Sequence, residues 1–154
     1  AGRPDATARA IVNGWLHTGD VGYRDADGYL YVRDRRDDLI VTGGENVYPA
    51  EVEAALLAHP WVAEAGVVGI LDDNWGQRVV AVVRLGASPA ASEAEAAEVA
   101  EALRTHCRSR LAGYKSPREI LLVTDPLPRT ASGKLRRAAL RERIAPSQPQ
   151  RPHS

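Results

Sequence analysis

The apolar positions of this chain follow two periods, and the changes between them mark the elements. Residues 62–70, VAEAGVVGI, and 76–85, GQRVVAVVRL, are dense in β-branched residues and are separated by the polar stretch LDDNW. They predict two strands joined by a turn. Over residues 92–111 the apolar positions instead recur at helical spacing: Ala96, Val99, Leu103, Cys107 and Leu111. With Ser92 and Glu95 placed as a capping box, this is the clearest predicted helix. A second helix is predicted from Pro49, where a missing N–H in the first turn is harmless, to Pro60, which stops it. Val52, Ala55, Leu56 and His59 share one of its faces. Residues 39–41, LIV, predict a short buried strand running into a Gly-Gly turn, and 119–124, EILLVT, a further strand. A terminal helix is expected over 134–144. Upstream, residues 2–14 predict a short helix capped near Asp5 and ended by Gly14, and 21–35 a hairpin turning at 25–28, with Tyr29 to Val32 in the return strand. The charged run at 33–38 is a candidate boundary. From residue 38 the order is strand, helix, strand, strand, helix, strand, loop, helix. It predicts an α+β fold, a small sheet with helices packed on it. There is no internal repeat.

Composition narrows the class. The chain has 154 residues, 44% hydrophobic and 26% charged, with a formal net charge of +0. That length accommodates one domain and part of another. The balanced charge argues against a general nucleic-acid binder. No apolar run reaches bilayer-spanning length, and no secretion leader is apparent. One cysteine, Cys107, forms no internal disulfide, so a cytoplasmic setting is expected. Cys107 and Trp61 are expected in the core. The sequence starts without Met and is expected to be a piece of a longer protein. The Pro/Gln/Ser-rich residues 145–154 predict a disordered tail.

Cation usage sharpens the picture. Lys and Arg total 20, yet the only lysines are Lys115 and Lys134. Arg is a planar fork; Lys is a compact ammonium on a thin stem that enters a narrow site as a point charge. Lys134 follows a small, supple Thr-Ala-Ser-Gly run, in a segment with few apolar residues. Either chance on a solvated surface or a task unsuited to Arg explains it.

Three polar stretches, GWLHTGD (14–20), DRRDDLIVTGGENVYPAEVE (34–53) and LPRTASGKLRR (127–137), occur in this order. Together they resemble the adenylate-forming, AMP-binding ligase superfamily: acyl- and aryl-CoA synthetases, luciferases and nonribosomal adenylation domains. The resemblance spans about residues 3–144 and covers only the end of such an enzyme, closest in motif style to fatty-acid or aryl CoA ligases. It implies that residues 1–36 end a large AMP-binding domain, 37–38 form a hinge, and 39–144 form the C-terminal lid domain. It assigns Asp20 to the ribose of ATP and Arg35 to the nucleotide. Asp37 becomes the pivot, with Asp38 as the alternative. Gly43, Gly44 and Glu45 would line the pantetheine tunnel of CoA. Trp75 and Tyr114 would stack near its adenine, with Lys115 and Arg118 beside its phosphates; for Trp75, packing against the sheet end remains equally open. Lys134 would be the catalytic lysine of the adenylation step. Arg136, Arg137, Arg141 and Arg143 read as a solvated basic face.

The resemblance implies an acid–thiol ligase acting on a carboxylic acid, ATP and CoA. Mg would be held mainly by the large N-terminal domain, the partner of the lid. No metal site, Ser/His/Asp triad or nucleic-acid module is expected in this chain. Without the family's phosphate loop the isolated chain is expected to be inactive, and a non-catalytic nucleotide- or partner-binding lid is the rival reading. Fatty, aryl and short-chain acids are all open.

Overall fold

The structure is a computed structural model; it describes residues 10–35, 38–86 and 92–144. It divides into two units, Ala1–Asp37 and Asp38–Ser154. Asp5, Asp37, the tail at 145–154 and the side chain of Arg35 lie outside the described residues.

The first unit holds two hairpins. β1 (Ile11–Val12) pairs with β2 (Trp15–Leu16). Between them Asn13 and Gly14 take φ of 52° and 82°, the positive values that a two-residue type I′ turn requires at both positions. This corrects the helix expected to run to Gly14: Asn-Gly closes a hairpin there. β3 (Asp20–Arg24) pairs antiparallel with β4 (Leu30–Arg35). Asp25 Oδ1 accepts the amides of Asp27 (3.1 Å) and Tyr29 (2.9 Å) and builds the turn, so the return strand starts at Leu30 rather than Tyr29.

The second unit is a five-stranded mixed sheet covered on both faces. β5 (Ile40–Thr42) and β6 (Glu45–Val47) form a hairpin at one edge. β7 (Val62–Asp72) and β8 (Gly76–Leu85) form the long hairpin, with β8 inside the sheet and β7 at its edge. β9 (Glu119–Val123) returns parallel to β8, and β5 meets β8 at Thr42–Gly76. Three helices pack on the sheet: α1 (Pro49–Leu57), α2 (Glu93–Arg108) and α3 (Arg137–Ile144).

The unbroken apolar run of β8 follows from this double cover. Val79, Ala81 and Val83 point into a core with Val52 and Leu56 of α1 and Leu103 and Cys107 of α2. Val80 and Val82 point the other way, to Leu127 and to Leu140 of α3. Burial pushes the Cys107 thiol up to about 11, so it stays neutral and serves as a small apolar side chain. Trp61, expected in the core, is 49% exposed. It lies in the turn after α1, where its ring meets His59 edge-on at 4.7 Å, outside the layer filled by the aliphatic residues of α1 and β7.

Candidate functional site

The loop that carries Lys134 is a small hydrogen-bonded device. Thr130 N–H donates to the Lys134 carbonyl at 2.8 Å and Gly133 N–H to the Thr130 carbonyl at 2.9 Å. Lys134 N–H donates to Thr130 Oγ1 at 3.1 Å, and Arg129 Nη1 to the Gly133 carbonyl at 2.9 Å. Gly133 takes φ of 83°, which a side chain would resist. These bonds hold Leu135 opposite Arg129. The terminal helix therefore starts at Arg137, three residues later than the sequence suggested. Lys134 is exposed at the tip, and no ion pair among the described residues engages its ammonium. The other lysine differs: Lys115 Nζ is held by both Glu51 oxygens at 2.8 and 2.9 Å.

The foot of the loop is anchored in the sheet. Glu64 on β7 accepts Leu127 N–H at 2.9 Å and Arg84 Nη2 at 2.8 Å. The Leu127 amide first, and Arg84 second, hold the Glu64 carboxyl below the usual carboxylate range against the opposing effect of burial. A lowered native value means that this stabilisation is full above the ordinary carboxylate range and is lost as pH falls through the native value. Glu64→Gln is expected to cost about 1–2 kcal/mol at neutral pH. The deficit should shrink below about pH 4.5, which denaturant titrations at stepped pH will read. A deficit constant with pH would refute the assignment.

The second cluster surrounds the Gly-Gly turn. Gly43 and Gly44 take φ of 58° and 83° and close the β5–β6 hairpin. Gly43 N–H donates to the Trp75 carbonyl at 2.9 Å. A Cβ on Gly43 would stand 2.9 Å from Trp75 Cε3, so glycine lets the indole lie flush on the turn. Asp72 Oδ1 accepts the amides of Asn74 and Trp75 at 3.0 and 3.1 Å and fixes the β7–β8 turn. The Arg118 guanidinium sits 4.0 Å from the Trp75 ring centroid, a cation–π contact. Trp75 thus packs at the sheet end while 43% of it stays exposed. Glu45 is exposed beside the turn.

Arg118 also lines a cleft of about 350 Å³ with Arg104, Arg108, Tyr114 and Ser116. Ser116 Oγ is buried there with no hydrogen-bond partner among the described residues. Three guanidinium groups and an orphan hydroxyl make an anion-accepting wall. Arg104 and Arg108, both drawn to Glu101, escaped the sequence reading. Their i,i+4 spacing at the end of α2 was the available signal.

The remaining site residues fall in the first unit. Asp20 and Arg35 face each other as Cα partners across the β3–β4 hairpin, so pairing places on one end of it two residues that lie fifteen apart in sequence. Asp20 N–H donates to Thr18 Oγ1 at 3.2 Å, and the residue is exposed. Among the described residues no three His, Cys, Asp or Glu side chains converge as a metal site. No helix among them is long and apolar enough to cross a membrane.

The expected solvated basic face on α3 needs correction. Arg137 is only 13% exposed and binds Glu53 and Asp38, and Arg141 approaches Asp38 at 3.6 Å. α3 lies against β7, which turns its first arginine inward toward acids on α1 and at the start of the sheet.

Residues 51–134 match the family model of the AMP-binding enzyme C-terminal domain. The chain belongs to this family. It is 58% identical over 144 residues to a 2-succinylbenzoate–CoA ligase of Geobacillus kaustophilus, covering 92% of this chain and 27% of that protein. Among solved structures it is similar to o-succinylbenzoate CoA synthetase of Bacillus subtilis in complex with the acyl-adenylate intermediate, with a TM-score of 0.76 and 45% identity, covering 97% of this chain and 28% of the other. The same enzyme with ATP and magnesium gives 0.76 and 48%, over 90% of this chain and 26% of that one. The chain thus spans about a quarter of the length of the relatives it matches, and as a family member it forms the small α+β domain with its mixed sheet and three helices.

Proposed function

We propose that this chain is the C-terminal part of an ATP-dependent carboxylic acid–CoA ligase. In this reading residues 1–36 close the large nucleotide-binding domain, 37–38 form the hinge with Asp37 as pivot, and 39–144 are the lid. Asp20 accepts the hydroxyls of the ATP ribose and Arg35 contacts the nucleotide. The exposed Lys134, without an ion pair among the described residues, carries the argument on its preorganised loop. When a carboxylate attacks the α-phosphorus of ATP, oxygen displaces pyrophosphate and negative charge gathers at one centre. An ammonium delivered to that charge lowers the barrier. One such pair at about 4 Å and an effective dielectric near 20 is worth roughly 4 kcal/mol before desolvation. Magnesium, which the large domain would hold, would neutralise phosphate charge.

In the second half-reaction the lid turns, and the Gly43–Glu45 turn guides the thiol of CoA to the acyl carbonyl, releasing AMP. Trp75, Tyr114 and Arg118 receive the nucleotide end of CoA. The cleft that Tyr114 and Arg118 line with Arg104, Arg108 and Ser116 fits its phosphates. Lys115 acts there while tied to Glu51, as a positioned rather than a free cation. The relatives named above act on 2-succinylbenzoate, so an aryl acid of that kind, and not a fatty acid, is the proposed substrate. A buried single thiol without a disulfide fits a cytoplasmic setting.

The test is to incubate the full-length protein with ATP, magnesium, CoA and 2-succinylbenzoate, and to follow the thioester by mass spectrometry. The thioester should form with release of AMP, at least about tenfold faster than from a C16 fatty acid. Nucleotide binding without any turnover would favour a non-catalytic lid.

A further inference from the structure

One buried charge cluster in the second unit is not used by the reaction as described. Arg137, the first residue of α3, donates through Nη2 to both Glu53 oxygens at 3.0 and 2.8 Å, and through Nη1 to Asp38 Oδ2 at 3.2 Å. Glu53 Oε1 also accepts Val67 N–H at 2.9 Å, closing an open position on edge strand β7. Arg141 adds a second contact to Asp38. Side-chain exposures of 13% for Arg137, 14% for Glu53 and 21% for Asp38 make this a largely desolvated network.

Its position gives it meaning. Asp38 is the first residue of the second unit, and Arg137 lies three residues beyond Lys134. The Lys134 loop itself makes its hydrogen bonds internally, between residues 128 and 136. Its C-terminal side is tied to the rest of the unit by Leu135, Leu140 and Ile144 packed on the second core cluster, and by this guanidinium fork, which supplies the charged and directional part of the attachment. A fork spanning two carboxylates holds both in a fixed geometry, which an ammonium on a flexible stem does not.

We propose that Arg137 and Asp38 are positioning residues for Lys134: their ion pair makes the start of the lid and the lysine loop a single rigid piece, so that lid rotation delivers the ammonium to one place. The inference rests on the ligase reading above. It also makes Asp38 part of the lid body, which excludes it as the pivot.

The test is a double-mutant cycle in the full-length enzyme, with single-turnover pyrophosphate release as readout. Asp38→Asn should slow adenylation about tenfold when Lys134 is present and less than twofold in a Lys134→Ala background, because partners acting through one interaction are non-additive. Thioester formation from preformed acyl-adenylate should be unchanged. Arg137→Lys, which keeps the charge but not the fork, should show the same coupling and replaces Asp38→Asn if that variant fails to fold. Equal slowing with and without Lys134, or no slowing at all, overturns the proposal while leaving the ligase reading intact. If Lys134→Ala itself leaves adenylation at the wild-type rate, the ligase reading falls first.

Discussion

Replacing Lys134 by alanine in the full-length enzyme is expected to slow acyl-adenylate formation by about 100-fold or more while leaving thioester formation from preformed acyl-adenylate within twofold. The asymmetry follows from charge. Only the first half-reaction brings a carboxylate and a phosphate together, and only there does an added cation act more strongly on the transition state than on the bound substrates. Stability should not change, because Lys134 is exposed and its ammonium makes no ion pair among the described residues; a surface substitution of this type shifts folding by no more than about 0.5 kcal/mol. Lys134→Arg should recover little, since a wide planar fork replaces a compact ammonium on a thin stem. The two half-reactions are separated by assaying pyrophosphate release in one and thioester appearance in the other. Equal losses in both would sink the assignment of Lys134 to the adenylation step.

Gly43→Ala is expected to give the mirror result. At φ of 58° an alanine pays about 1–2 kcal/mol for the left-handed backbone. Its methyl would also stand 2.9 Å from Trp75 Cε3. The indole is not free to retreat, for Asp72 holds its amide and Gly43 its carbonyl, while Arg118 sits on its ring. Either the turn or the ring must shift, and both belong to the proposed CoA path. Thioester formation should therefore slow by at least about tenfold, adenylation should stay within twofold, and stability should fall by about 1–2 kcal/mol. A variant that loses adenylation equally would show that Gly43 serves only the fold.

Much of the second unit is legible in the sequence. The helix at 93–108 and the long hairpin were readable because burial on one face, or on two, leaves a period that sequence records directly. The lysine was legible because so arginine-rich a chain makes its lysines conspicuous. What escaped detection shared a different character. The β1–β2 hairpin was taken for the end of a helix, because its signal is only the Asn13-Gly14 pair and its strands are two residues long. β6 was missed because a three-residue strand carries too little alternation to register. Arg137 was read as solvated because charge on a short helix is usually exposed, and nothing local announces that Glu53 and Asp38 wait 84 and 99 positions away.

Sequence by itself determined the order of strands and helices in the second unit apart from β6, the three polar stretches that carry the family likeness, and the lysine set on its small-residue run, since each depends on spacing along the backbone or on residue chemistry. Tertiary structure alone decided that Lys115 is bound to Glu51 while the Lys134 ammonium meets no ion-pair partner among the described residues, that Trp75 rests on Gly43 beneath Arg118, and that Arg137 joins α3 to Asp38. Those outcomes depend on which distant groups folding places within about 3–4 Å of each other. The energy of a charge or a ring depends on such neighbours and on how much water they exclude, and neither quantity is written in the order of residues.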